Sequence, residues 1–197
     1  ILATAIIPDT GTVEINGLAL GSDDRAIKSI TGSVSNEDRA LYWRLTGRQN
    51  LEFFASLHGL TPAAASSKLN ELFKLFGIDY AEKRFDAYST GMKRKFMLIK
   101  SLLHDPDILL LDEPTKSLDY NAAAEFRKHI SDYLDREKAL ILATHNFDEA
   151  QYLCNRIVIL HGGKILKQGT LKELQQQAGS ACASLSEIYL NLVNHAA

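Results

Sequence analysis

A chain of 197 residues with a formal net charge of −2 is long enough for one domain with its own core, and it lacks the basic excess of a large nucleic-acid-binding face. With 46% hydrophobic and 23% charged residues it has the composition of a soluble globular protein, and Cys154 and Cys182 are too far apart for a metal-spaced cluster and read as small buried hydrophobes. The apolar opening of residues 1–7 stops at Pro8, short of the roughly 20 residues a membrane span needs, and has no basic start of a signal peptide. Because the chain opens inside that apolar run, with no initiating Met and no cap, its N-terminus is expected to be truncated.

In chain order, residues 12–15 read as a short strand between the turns at Asp9-Thr10-Gly11 and Asn16-Gly17. Residues 23–30 are expected to form a short helix and 32–34 a short strand. Thr46 and Gln49 have capping-box spacing and open a helix that stops at Gly59. Thr61-Pro62 opens the next, with Leu69, Leu72, Phe73 and Phe76 on one buried stripe and Gly77 as its end. A third helix begins near Ser89 and carries Met92, Phe96, Ile99 and Leu103 on one face.

Beyond Pro106 the pattern changes. Residues 108–111, 139–143 and 156–160 are short, unalternated aliphatic runs separated by helical stretches at 120–134 and 146–153, which points to a parallel sheet covered on both faces. Gly162-Gly163 turns the chain into a hairpin strand over 164–169, and Thr170 with Glu173 caps a further helix. Leu185, Ile188, Tyr189 and Leu192 share a face in a tail that either packs back or frays. The fold class is therefore α/β, a mainly parallel sheet with a helical lobe inserted at about residues 40–105.

The chemistry concentrates at residues 108–115. A hydrophobic strand ending in Asp112-Glu113 delivers two carboxylates where open α/β sheets bind ligands. Asp112 suits Mg²⁺, and Glu113 suits polarising a water beside a γ-phosphate; the plain alternative is a polar turn with both acids solvated.

These residues and their neighbours resemble the ABC ATPase family. Residues 108–114 are similar to its Walker B strand, and Ser117-Leu118-Asp119 stands where its D-loop does. Leu142-Ala143-Thr144-His145 matches its switch histidine, and Tyr88-Ser89-Thr90-Gly91-Met92 occupies its signature slot. The resemblance covers about residues 1–177 and leaves 178–197 as a helical tail. It implies a P-loop NTPase-like core acting on ATP with Mg²⁺, with Glu113 and His145 catalytic and Asp112 at the metal. By the same resemblance Ser89, Thr90 and Gly91 begin a helix whose free N–H groups meet the γ-phosphate of an opposite copy, so two ATPase domains dimerise head to tail. Asp119 would reach that partner; as a helix N-cap it could serve the fold at the same time.

The sequence also departs from the family. No Gly-x-x-x-x-Gly-Lys-[Ser/Thr] occurs, and Pro8 to Val13 resembles the segment that follows the P-loop helix, so these 197 residues alone are expected to bind ATP weakly and not to turn it over. Asn36 stands in the slot of the Q-loop Gln, where its shorter amide would face nucleotide and metal. The Tyr-Ser-x-Gly-Met signature looks like that of exporters with separate membrane subunits. Tyr42-Trp43-Arg44 lies where a transmembrane permease subunit would dock, and Trp43 reads either as an interface anchor or as core of the helical lobe. The expected place of work is the cytoplasmic face of the cell membrane, through that permease, with no membrane span of its own and no nucleic acid. Two other readings stay open: a soluble ABC ATPase of translation or DNA maintenance, and a non-catalytic partner subunit.

Overall fold

The computed structural model describes residues 1–34, 41–134, 138–179 and 183–196, and these fall into two units, Ile1–Ala143 and Thr144–Ala197.

The first unit begins with an irregular segment carrying two-residue strands, β1 (Glu14–Ile15) and β2 (Leu18–Ala19), paired antiparallel across Asn16-Gly17. Both turn residues have left-handed backbones, which Asn and Gly tolerate best. Helix α1 (Asp24–Ile30) leads into β3 (Thr31–Val34). β3 lies parallel to β4 (Ile108–Asp112), which lies parallel to β5 (Ala139–Ala143), so β4 is central. Gly32 sits in the middle of β3 because nothing larger fits: a Cβ there would stand 2.3 Å from the Ser101 carbonyl oxygen.

Between β3 and β4 lie three helices. Helix α2 (Gly47–Leu57) opens on the complete capping box of Thr46 and Gln49. α3 (Pro62–Leu75) has Thr61 as its cap and buries Leu69, Leu72 and Phe73, with Phe76 just beyond its end. Each such side chain removed from water contributes about 1.5–3 kcal/mol, so this stripe holds α3 in place far more than its helix propensity does. α4 (Thr90–Leu102) then buries Phe96, Ile99, Leu102 and the following Leu103. Met92, expected on the same face, is only half-buried in the first turn. α5 (Tyr120–Leu134) connects β4 to β5.

One expectation fails at the sheet. Leu109 and Leu111 are buried, but Ile108 and Leu110 are half-buried and Ile141 is 47% exposed, so one face is incompletely covered. The irregular segment lies over that face and leaves a cavity lined by Leu2, Val13, Ile15, Ile108, Leu110 and Ile141. Two-residue strands present too little continuous apolar surface to close it.

The second unit holds α6 (Phe147–Leu153), the antiparallel hairpin β6 (Ile157–His161) and β7 (Lys164–Gly169), α7 (Leu171–Gln177) and α8 (Leu185–Ala196). The hairpin expected at Gly162-Gly163 forms, β6 pairing with β7, but the run at 156–160, also read as a strand of the parallel sheet, has no parallel neighbour among the described residues. Both glycines have positive φ, which makes the tight reversal available. The tail does not fray over α8: Leu185 and Ile188 are buried with Ile159 and Leu174, and the rings of Phe147 and Tyr189 meet at 5.5 Å. No helix among the described residues is long and apolar enough to cross a membrane.

Candidate functional site

The carboxyl end of β4 is built around a backbone irregularity. Asp112 is the last strand residue, in register with Ala143 of β5, and its side chain is exposed. Glu113 leaves the sheet with φ of 48°, a left-handed conformation that costs a residue with a Cβ about 1–2 kcal/mol. Its N–H still donates to the Ala143 carbonyl at 2.9 Å, so the ladder continues one residue past the strand while the chain changes direction. Pro114 and Thr115 are buried behind it. Lys116 N–H donates to Glu113 C=O and Leu118 N–H to Thr115 C=O, and Ser117 is again left-handed at 70°. These two turns aim the 117–119 segment at the start of α5.

Asp119 does cap that helix: its Oδ1 accepts the Ala122 N–H at 2.9 Å. Its side chain is nonetheless exposed.

The signature segment meets this turn directly. Ser89 caps α4, its Oγ accepting the Met92 N–H at 3.3 Å. The N–H groups of Thr90 and Gly91, in the first helical turn, have no carbonyl four residues back in the helix, which leaves a donor-rich, dipole-positive end at an exposed surface. Gly91 packs on the 117–122 segment, where a Cβ would meet Leu118 Cδ2 at 4.0 Å and Ala122 Cβ at 3.9 Å. Lys95 reaches Glu125 at 2.8 Å one turn further along both helices. Ser89, Thr90, Gly91 and Asp119 thus form one surface region of the first unit.

Tyr88, just before the signature, is buried and donates its hydroxyl to the Tyr80 carbonyl at 2.9 Å. Burial, with Glu82 nearby, pushes its phenol up to about 12. Beside it Gly47, the first residue of α2, leaves no room for a side chain: a Cβ would stand 2.1 Å from the Tyr88 hydroxyl and 2.4 Å from Phe96. Sequence reasoning missed this Gly47–Tyr88 contact, which joins residues 41 positions apart. The turn before α2 is tied to the approach to the signature by an isolated antiparallel bridge between Thr46 and Arg84, with Asp86 N–H donating to Trp43 C=O and Phe85 N–H to Leu45 C=O. Trp43 itself is 62% exposed beside Tyr42 at 51%, with the Arg44 guanidinium 5.2 Å from its ring. Trp43 is therefore not core.

In the second unit, His145 is exposed on the turn between β5 and α6. Thr144 and Asn146 on either side are hydrogen-bonded to each other, and Thr144 to the wholly buried Glu149. Asn36, expected to face nucleotide and metal, lies outside the described residues.

The profile of the ABC transporter family matches residues 1–116. The ABC transporter ATP-binding protein NatA of Bacillus subtilis is 31% identical over 91% of this chain and 73% of its own length. The daunorubicin resistance ATP-binding protein DrrA3 of Streptomyces coeruleorubidus is 33% identical over 91% of this chain, which spans 57% of that protein. A solved ATP-binding subunit of an ABC transporter superposes with a TM-score of 0.82 at 28% identity, covering 94% of this chain and 78% of the other. The chain belongs to the ABC transporter family of ATP-binding proteins.

Proposed function

We propose that this chain is the ATP-hydrolysing motor of an ABC exporter, working at the cytoplasmic face of the membrane through a separate permease and in head-to-tail pairs. The observation that carries the reading is the end of β4: an exposed Asp112 and a left-handed Glu113 at the carboxyl edge of a parallel sheet, followed by a turn packed on the start of the signature helix.

The donor set fits Mg²⁺. No cluster of three or more His, Cys, Asp or Glu exists among the described residues, and Mg²⁺ asks for none, because it takes one or two carboxylates and completes its shell with waters and phosphate oxygens. Asp112 is that carboxylate, and Asn36, from its place in the sequence, is the amide assigned to the same ion. The ion supplies charge neutralisation on the phosphate oxygens. Glu113 orients the attacking water and accepts its proton, so that water and ATP become ADP and phosphate. His145 hydrogen-bonds the γ-phosphate and senses its departure. The N–H groups at Ser89, Thr90 and Gly91 hold the γ-phosphate bound by the partner copy, with Asp119 beside them. Tyr42, Trp43 and Arg44 receive the permease, and the hydrogen bonds donated by Phe85 and Asp86 to the Leu45 and Trp43 carbonyls give that contact a short route to Ser89.

The test is ATP turnover by the protein expressed from its full coding sequence together with its permease, with and without Glu113→Gln. The expected result is a loss of about 10²–10⁴-fold in kcat with ATP binding retained. Equal turnover in both proteins would remove Glu113 from the mechanism and with it this reading.

A further inference from the structure

The starts of α6 and α7 share a cap spacing and differ sharply in wiring. At α7, Thr170 accepts the Glu173 N–H and the Glu173 carboxylate accepts the Thr170 N–H at 2.8 Å, an ordinary reciprocal box with the acid in water. At α6, Asn146 accepts the Glu149 N–H at 3.2 Å, so Glu149 stands in the same third position. Its carboxylate does not return to the cap. The Asn146 N–H donates instead to the Thr144 hydroxyl oxygen at 3.0 Å, and that hydroxyl donates to Glu149 Oε2 at 2.6 Å.

A hydroxyl has thus been placed between the two halves of the box, and the acid has been taken fully out of water, at 0% exposure. Its second oxygen, Oε1, has no hydrogen-bond partner among the described residues. Burying a carboxylate with one oxygen unmatched costs stability that the exposed box at α7 avoids. What the relay adds is a fixed Thr144: its hydroxyl is committed as donor and acceptor, and His145 lies between the two residues it joins.

We propose that Glu149 is the positioning residue for His145, holding the Thr144–Asn146 turn through the Thr144 hydroxyl. The consequence for turnover rests on the role assigned to His145 above; the wiring of the turn does not.

Hydrogen exchange of the 197-residue chain tests the wiring without nucleotide. The Asn146 amide is the reporter, and the amides of β6 in the same unit are the reference. Glu149→Ala and Thr144→Val are expected to speed Asn146 exchange about tenfold relative to β6, the loss of roughly one hydrogen bond. Glu149→Gln and Thr144→Ser, which keep the acceptor and the hydroxyl, should stay near the parent. Unchanged Asn146 exchange in Glu149→Ala or Thr144→Val overturns the inference. So does acceleration of Asn146 and β6 by the same factor, which would make Glu149 a packing residue only. In the full protein with its permease, Glu149→Ala should lower kcat without raising KM, and it should be non-additive with His145→Ala. Local exchange that responds while kcat does not would overturn the positioning role and leave the ATPase reading standing. A parent protein without turnover would sink the ATPase reading and leave the exchange result to decide the wiring.

Discussion

Replacing Gly91 by Ala should separate the fold from the chemistry. Gly91 is the second residue of α4 and does not have a left-handed backbone, so Ala is conformationally at home there. The new methyl would find Ala122 Cβ at 3.9 Å and Leu118 Cδ2 at 4.0 Å, ordinary contact distances. Helix propensity favours Ala by about 1 kcal/mol in a helix interior, and by about half of that in a first turn that lacks most of its hydrogen bonds. Two good carbon contacts add about 0.3 kcal/mol. The sum is a gain of about 0.5–1 kcal/mol, or a Tm higher by roughly 1–4 °C for a chain of this size. The same exchange at Gly32 meets a backbone oxygen at 2.3 Å that cannot move aside, and should cost about 1–3 kcal/mol or more. Urea unfolding by circular dichroism measures both. In the full protein, Gly91→Ala should cut ATP turnover about 10²-fold, because a methyl holds the phosphate off the helix amides by about 1 Å. A destabilised Gly91→Ala would refute the packing geometry. A stable variant with parental turnover would refute the idea that the bare backbone at Gly91 is what nucleotide approaches.

Three further outcomes follow from the same structure. Asp119→Ala should lose about 1 kcal/mol by uncapping α5 while Asp119→Asn retains the cap, so any turnover defect shared by both variants reports the partner contact and not the fold. Trp43→Ala should leave the unfolding midpoint within about 0.5 kcal/mol, since the ring is mostly in water, yet weaken co-purification with the permease. The chain should lose stability as pH falls below about 6.5, the ordinary histidine value. Burial holds His58, His104 and His129 below that value, so the unfolded chain takes up protons that the folded chain resists. His129 lies against Phe76, with Lys95 also opposing its protonation and Glu125 and Asp132 favouring it. His129→Phe should therefore flatten the Tm profile between pH 7 and 5, and an unchanged slope would exclude His129 as a contributor.

Local grammar carried most of the fold from sequence. Thr46 with Gln49, Thr61-Pro62, Ser89 and Thr170 with Glu173 each open a helix where their cap chemistry puts it. Pairing partners were only half legible: Gly162-Gly163 announced the hairpin, but an aliphatic run such as 157–160 does not say whether a parallel neighbour lies on its other edge. The side of Trp43 was equally open, because a bulky aromatic has the same composition in a core and at an interface. The strand end at Asp112-Glu113 and the helix cap at Asp119 were readable from their order along the chain. Glu149 was not, since an acid in the first turn of a helix normally reads as a solvated dipole partner. The signal that existed was Thr144 two residues before the Asn146 cap, which leaves a hydroxyl within reach of both ends of the box.

The left-handed Glu113 also limits what stability-based selection can do with this protein. Glycine at that position would relax the backbone, and under the role proposed for Glu113 it would remove the base in the same step. A library screened only for heat resistance should thus enrich Gly or Asn at 113 and, under the same proposal, return well-folded proteins that no longer hydrolyse ATP. Directed evolution of such a motor has to select on turnover at this residue, whatever it selects on elsewhere.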